Sequence, residues 1–138
     1  MTPDEISSIL DQASPPLLGV IATVRADGSP HAVPVWYSWD GHSVSIWTDR
    51  GRAWVRNLSR DPRVAFTAQQ AQPPYGAVIM RGRADMSAPG ADVDGDIRRI
   101  AGRYLPEGEC DAYIAAWPQL RTVVRVHPAT IQAWGRGY

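Results

Sequence analysis

Five arginines fall within the sixteen residues TDRGRAWVRNLSRDPR, Thr48 to Arg63. From Arg50 to Arg63 only Asp61 opposes them, which leaves a local charge of +4 in a chain whose formal net charge is zero. Guanidinium groups at this density seek an anion, because their planar forks hold phosphate or carboxylate bidentately. Arg52, Arg56 and Arg60 are spaced i, i+4, i+8, so on a helix they share one face and repel by a few tenths of a kcal/mol unless an anion relieves them. The stretch Thr48-Asp49-Arg50-Gly51 leads from a predicted strand directly into that helix. Backbone N–H groups, the positive helix end and two guanidinium groups therefore converge on one corner, which suits a phosphate. The competing reading is a solvated charged face on a surface helix.

Other reactive residue types are sparse. Cys110 is the single cysteine, so an internal disulfide and a cysteine-cluster metal site are excluded. It lies in the acidic stretch Glu-Gly-Glu-Cys-Asp, which disfavours a thiolate. His31, His42 and His127 lack metal-ligand spacing, and each reads as a surface residue: His31 pointing outward on a strand, His42 in a turn, His127 before Pro128. There is no partnered nucleophile, phosphate-binding glycine loop or dinucleotide motif. A nucleic-acid partner ranks last, because no base-stacking motif accompanies the arginines and the remaining residues are net acidic. From Asp92 to Asp111, for instance, six acids face three arginines.

The elements that must position the arginine corner can be read in order. Thr2-Pro3-Asp4-Glu5 starts a helix, with Thr2 as cap and Pro3 in the first position. Leu17 to Val24, His31 to Trp39 and Ser43 to Thr48 read as a three-strand meander, turned at Asp27-Gly28 and Asp40-Gly41. A helix from Arg52 to Arg60 stops before Pro62. Arg63 to Gln69 and Gly76 to Met86 are strands, and Ala91 to Leu105 and Asp111 to Trp117 are helices. Leu120 to Val126 and Thr130 to Trp134 read as the last two strands, parted at His127-Pro128. Six or seven antiparallel strands with a few short helices predict a mainly β protein, a closed or nearly closed barrel, because closure removes exposed edges. At 138 residues the expectation is one domain, residues 1–138. With acidic residues near its start and no apolar run near ~20 residues, a cytoplasmic protein without a membrane partner is expected.

The order of several tokens is informative together: Asp27-Gly28 with Pro30, Pro34-Val35-Trp36-Tyr37, a strand ending in Thr48, then Arg52, Arg56-Asn57-Leu58 and Asp61-Pro62-Arg63. Arg81-Gly82-Arg83-Ala84 and a last strand closing on Trp134-Gly135 complete the set. This pattern resembles the FMN-binding split β-barrel superfamily of pyridoxamine 5'-phosphate oxidase-like proteins, most closely the flavin/deazaflavin oxidoreductases that use coenzyme F-420. The resemblance implies a homodimer with two cofactor sites at the subunit interface. It further implies an oxidoreductase that passes hydride between coenzyme F-420, the first choice, or FMN and a small unsaturated organic substrate. Carried over by residue, Pro34, Val35 and Trp36 would lie against the tricyclic ring. Thr48, Arg50 and Arg52 would reach the phosphate, with Arg56 assisting and Asn57 organising the helix start.

One position departs from the pattern. Relatives commonly place a phosphate-binding lysine two residues after Arg52, where this chain has Trp54. Either an arginine substitutes for it, or Trp54 stacks on a ring, or Trp54 fills the pocket and leaves a non-catalytic barrel that stores or senses a flavin, haem or another hydrophobic ligand. Tyr37, Tyr75 or solvent would supply a proton. Gln72, Pro73, Tyr75 and the Ala88 to Gly90 stretch are the expected substrate walls.

Overall fold

The computed structural model describes residues 1–135. Its first helix, α1 (Pro3–Leu10), starts where the Thr2 hydroxyl accepts the Glu5 amide at 3.1 Å. The strands are β1 (Gly19–Val24), β2 (Pro30–Val35), β3 (Ser38–Trp39), β4 (Val44–Thr48), β5 (Arg63–Gln69), β6 (Ala77–Met86) and β7 (Thr122–Trp134). Helix α2 (Ala53–Arg60) follows β4, and α3 (Asp94–Tyr104) and α4 (Cys110–Ala116) lie between β6 and β7. All seven strands form one antiparallel sheet in the order β2-β1-β5-β6-β7-β4-β3, curled as a split barrel.

The expected three-strand meander is corrected here. His31 to Trp39 is two strands, and β2 and β3, joined only through Trp36 and Tyr37, sit at opposite edges of the sheet. Pro30 and Pro34 explain why: a proline cannot donate to a ladder, so a strand carrying two belongs at an edge. At the other edge β3 pairs only with Val44 and Ser45, which leaves the Ile46–Thr48 end of β4 without a neighbour on that side. The split lies between these two edges.

The opposite error occurs at the C-terminal end. Leu120 to Val126 and Thr130 to Trp134 are one strand, β7, and Pro128 sits at a bulge within it rather than between two strands. There Arg81 pairs with Thr130 and Gly82 with Pro128, so Ala129 is the extra residue. A Cβ on Gly82 would come within 2.1 Å of the His127 carbonyl oxygen, so the bulge requires glycine at that position.

The concave side of the sheet holds the main core, with Leu10, Ile21, Tyr37, Val44, Ile46, Val55, Phe66 and Met80 almost fully buried. Trp54 and Leu58 bring α2 into it. A second cluster of Val93, Ile97, Ala101, Ile114 and Val123 seats α3 and α4 over β7. No helix among the described residues is long and apolar enough to cross a membrane.

Candidate cofactor cleft

Between the two sheet edges lies a cleft of about 580 Å³. Its residues come from elements distant in the sheet: His31, Val33, Pro34 and Val35 from β2, Trp36 just after it, and Trp47 and Thr48 from β4. Arg52, Ala53 and Trp54 close one end from the start of α2, while Tyr113 and Leu120 cover the other side. The volume suits a ligand of cofactor size.

One end is aromatic. The Trp36 ring stacks on Tyr104 of α3 (centroids 4.9 Å apart, planes 6° apart) and on Tyr113 of α4 (5.5 Å, 29°). Tyr113 meets Trp47 edge-on at 6.1 Å. The Trp47 indole donates to the Leu120 carbonyl at 2.6 Å, which fixes its ring. These contacts give the cleft a rigid π-surface.

The other end is rich in donors. Arg52 is the N-cap of α2 in extended geometry and makes no side-chain capping bond. The turn before it is held by Gly51 donating to Asp49 Oδ1 at 3.0 Å and by the Arg52 amide donating to the Asp49 carbonyl at 3.2 Å. Among the described residues no acceptor meets the amides of Ala53 and Trp54, as expected of a first helical turn open to a ligand. Thr48 is 3% and Trp54 4% exposed. Neither the Thr48 hydroxyl nor the Trp54 indole N–H has a partner among the described residues.

The nine expected site residues separate. Pro34, Val35, Trp36, Thr48, Arg52 and Trp54 line the cleft. Arg50 does not; its guanidinium donates to the Ser87 carbonyl. Arg56 is exposed on α2 and is not part of the lining. Asn57 does not organise the helix start. It is buried, its Nδ2 donates to Thr23 Oγ1 at 3.0 Å and its Oδ1 accepts from Arg60 at 2.7 Å, so it pins α2 to β1.

Two other expectations change. His31 is not an outward surface residue: it shares the inner side of β2 with Val33 and Val35 and lines the cleft. Its Nδ1 lies 3.4 Å from Asn57 Nδ2. The Arg60 bond orients that amide with its N–H groups toward Thr23 and the His31 ring. The alternation His31, Val33, Val35 carried the signal, because period two puts the histidine with the valines. Tyr37 is fully buried and donates to the Leu10 carbonyl at 2.7 Å. Burial pushes its phenol up to about 12 against the opposing pull of Arg103.

Tyr75 is exposed, with φ 58°, and is not part of the cleft. Gln72 and Pro73 border a separate hollow beside Gln12 and Pro15, and the Ala88 to Gly90 stretch is exposed outside the cleft. Tyr113 and Leu120 were not anticipated as walls, because their segments read only as a short helix and a strand.

The pyridoxamine 5'-phosphate oxidase family model matches residues 3–135, and the chain belongs to that family. Among solved structures, conserved hypothetical protein Rv2991 from Mycobacterium tuberculosis is 24% identical, with 99% of this chain and 86% of that one covered and a TM-score of 0.82. An F-420 reductase is 25% identical over 91% and 94% of the two chains, with a TM-score of 0.70. HupZ from Group A Streptococcus shares the fold at 16% identity, covering 99% and 97%, with a TM-score of 0.71.

Proposed function

We propose that this chain is an oxidoreductase whose cleft binds coenzyme F-420 or, as second choice, FMN, and presents it to a small unsaturated organic substrate. The observation that carries the reading is the two-ended cleft: a π-surface at one end and a cluster of unpartnered donors at the other, within one volume of about 580 Å³. A tricyclic ring joined to a phosphate by a polar chain has matching ends. When bound, such a cofactor supplies hydride transfer, and the protein supplies orientation and exclusion of water. Arg52 and the first amides of α2 would hold the phosphate. Val35, Trp36 and Trp47 would flank the ring. The similarity to an F-420 reductase supports the choice of F-420.

The reading extends to a homodimer with cofactor sites beside the interface. Leu18, Val20, Ala65, Thr67 and Ile79 form an apolar hollow on the outer sheet face, with Leu18 56% and Val20 38% exposed. Apolar surface of this kind favours a partner. Sedimentation at micromolar concentration should give twice the monomer mass.

A visible spectrum of the purified protein, followed by titration with F-420 and with FMN, tests the cofactor. Failure of both to bind at micromolar concentration sinks the proposal. A non-catalytic barrel that stores or senses a flavin, haem or another hydrophobic ligand is the second reading. One observation favours it: neither Tyr37 nor Tyr75, the two phenols expected to give a proton, lines the cleft. Binding of cofactor without oxidation of its reduced form by any acceptor in a panel of enones, quinones and nitroaromatics would select that reading.

A further inference from the structure

Reduction of an unsaturated substrate needs a proton as well as a hydride, and few groups in the cleft lining can release one. Arginine guanidinium, threonine hydroxyl and indole N–H keep their protons at neutral pH, which leaves His31 and Tyr113 as the acids of the lining. They stand at opposite ends. His31 lies beside α2, 3.4 Å from the Asn57 amide nitrogen, and four residues along β2 from Val35, roughly 13 Å. Tyr113 lies among the residues assigned to the ring: it stacks on Trp36 at 5.5 Å and meets Trp47 edge-on at 6.1 Å. Ile114, the next residue, is buried in the second core cluster and anchors this turn of α4. The phenol itself is half-buried, and its hydroxyl has no hydrogen-bond partner among the described residues. Tyr104, the other ring on Trp36, is already committed, donating to the Leu17 carbonyl at 2.6 Å.

We infer that Tyr113 is the proton donor of the reductase, acting on an activated alkene such as an enone. The inference rests on the cofactor reading above and deepens it. The β-carbon of the alkene receives hydride from the reduced cofactor, which is thereby oxidised. The π pair of the C=C bond moves to the α-carbon and takes the proton of Tyr113, so the phenol O–H bond breaks and a C–H bond forms. The phenolate then recovers a proton from water. A donor of this kind acts in the transition state rather than on the bound substrate, and so governs kcat more than KM.

Tyr113→Phe keeps the ring that stacks on Trp36 and removes only the hydroxyl. With reduced F-420 and 2-methylcyclohex-2-enone, the variant should lose about a hundredfold in kcat, with KM and the F-420 affinity, read by fluorescence titration, within about a factor of two. The wild-type product should carry an excess of one enantiomer at its α-carbon. The variant product should be close to racemic there, because water then supplies the proton from either face. His31→Gln should keep the wild-type excess. A second readout needs no turnover: acetylation by N-acetylimidazole, mapped by mass spectrometry, should reach Tyr113 in the free protein and be suppressed by oxidised F-420. The exposed Tyr75 should be modified equally in both states. An unchanged α-carbon excess in Tyr113→Phe, or its collapse in His31→Gln, overturns the inference. So does a loss seen as raised KM and weakened F-420 binding, the signature of packing, or acetylation of Tyr113 that is indifferent to F-420. If FMN binds in place of F-420, the same measurements are made with FMN and decide in the same way. Turnover without these Tyr113 effects defeats this inference alone. Binding without reduction of any enone overturns it and selects the non-catalytic barrel, and failure of both cofactors to bind defeats the cofactor reading together with it.

Discussion

Two clusters in this molecule combine an arginine with aromatic rings, and their donors are arranged in opposite ways. At the junction of α1 and α3, Arg103 donates to the carbonyls of Leu10 at 2.9 Å and Gln12 at 3.4 Å, and to that of Tyr37. It also lies 4.5 Å over the Tyr37 ring. Tyr37 donates to Leu10, and Tyr104 donates to Leu17 at 2.6 Å while accepting the Tyr37 amide at 3.2 Å. These bonds satisfy the last carbonyl of α1, at Leu10, and tie the following chain to the segment after β2, so this arginine is scaffold. At the start of α2, Arg52, Trp54 and Thr48 again combine a guanidinium with other polar donors, and among the described residues none is matched by an acceptor. Residue type did not separate the two clusters; whether the donors are already satisfied does.

The contrast can be broken most sharply at Arg103. Replacing it with alanine should remove a donor from three carbonyls, of which Leu10 keeps the Tyr37 hydroxyl, and cost about 3 kcal/mol. Thermal melting should then fall by about 10 °C. A loss below about 1 kcal/mol would remove the scaffold assignment.

Alkaline titration comes next. The folded Tyr37 pKa stands at about 12, above the ordinary value of 10.0, so the neutral phenol favours the fold. Its contribution is complete below pH 10 and is lost as pH rises towards 12, roughly 2 to 3 kcal/mol in all. In urea titrations Tyr37→Phe should show a shallower decline across that window, and an identical decline would assign it to other groups.

At the open corner the effects reverse in kind. Arg52→Ala should change stability by no more than about 0.5 kcal/mol, yet weaken cofactor binding tenfold or more, about 1.4 kcal/mol. Unchanged affinity, measured by the same fluorescence titration, would make the arginine face solvated surface. Arg56→Ala should be smallest, within about a factor of two in affinity, because it lies outside the cleft lining.

Local signals carried far. The strand Arg63–Gln69 falls where alternation after Asp61-Pro62 placed it, and α2 begins one residue inside its predicted start because Arg52 is the cap. Pairing between distant elements was harder to read. The two tight turns suggested one strand from His31 to Trp39 in a three-strand meander, but the prolines of β2 push it to an edge, and period two says nothing about edges. His127-Pro128 read as a break because proline interrupts a ladder, whereas Gly82 across from it allows a bulge. For the cleft, Thr48 and Arg52 were legible as a strand-to-helix corner. The engagement of Arg50 by Ser87, and the roof formed by Tyr113 and Leu120, depend on tertiary packing that no local pattern encodes.

The placement of β2 and β3 at opposite edges also bears on how the chain folds. Trp36 and Tyr37 separate the two strands by a single step in sequence, yet their final distance across the split is set only after β1, β5, β6, β7 and β4 have joined between them. The strand partners that complete this series reach Trp134, so the rims of the cleft are neighbours in sequence whose relation in space depends on pairings of long sequence separation. A ligand that spans those rims recognises the finished sheet alone, and its binding free energy adds to the stability of the whole fold rather than to one loop.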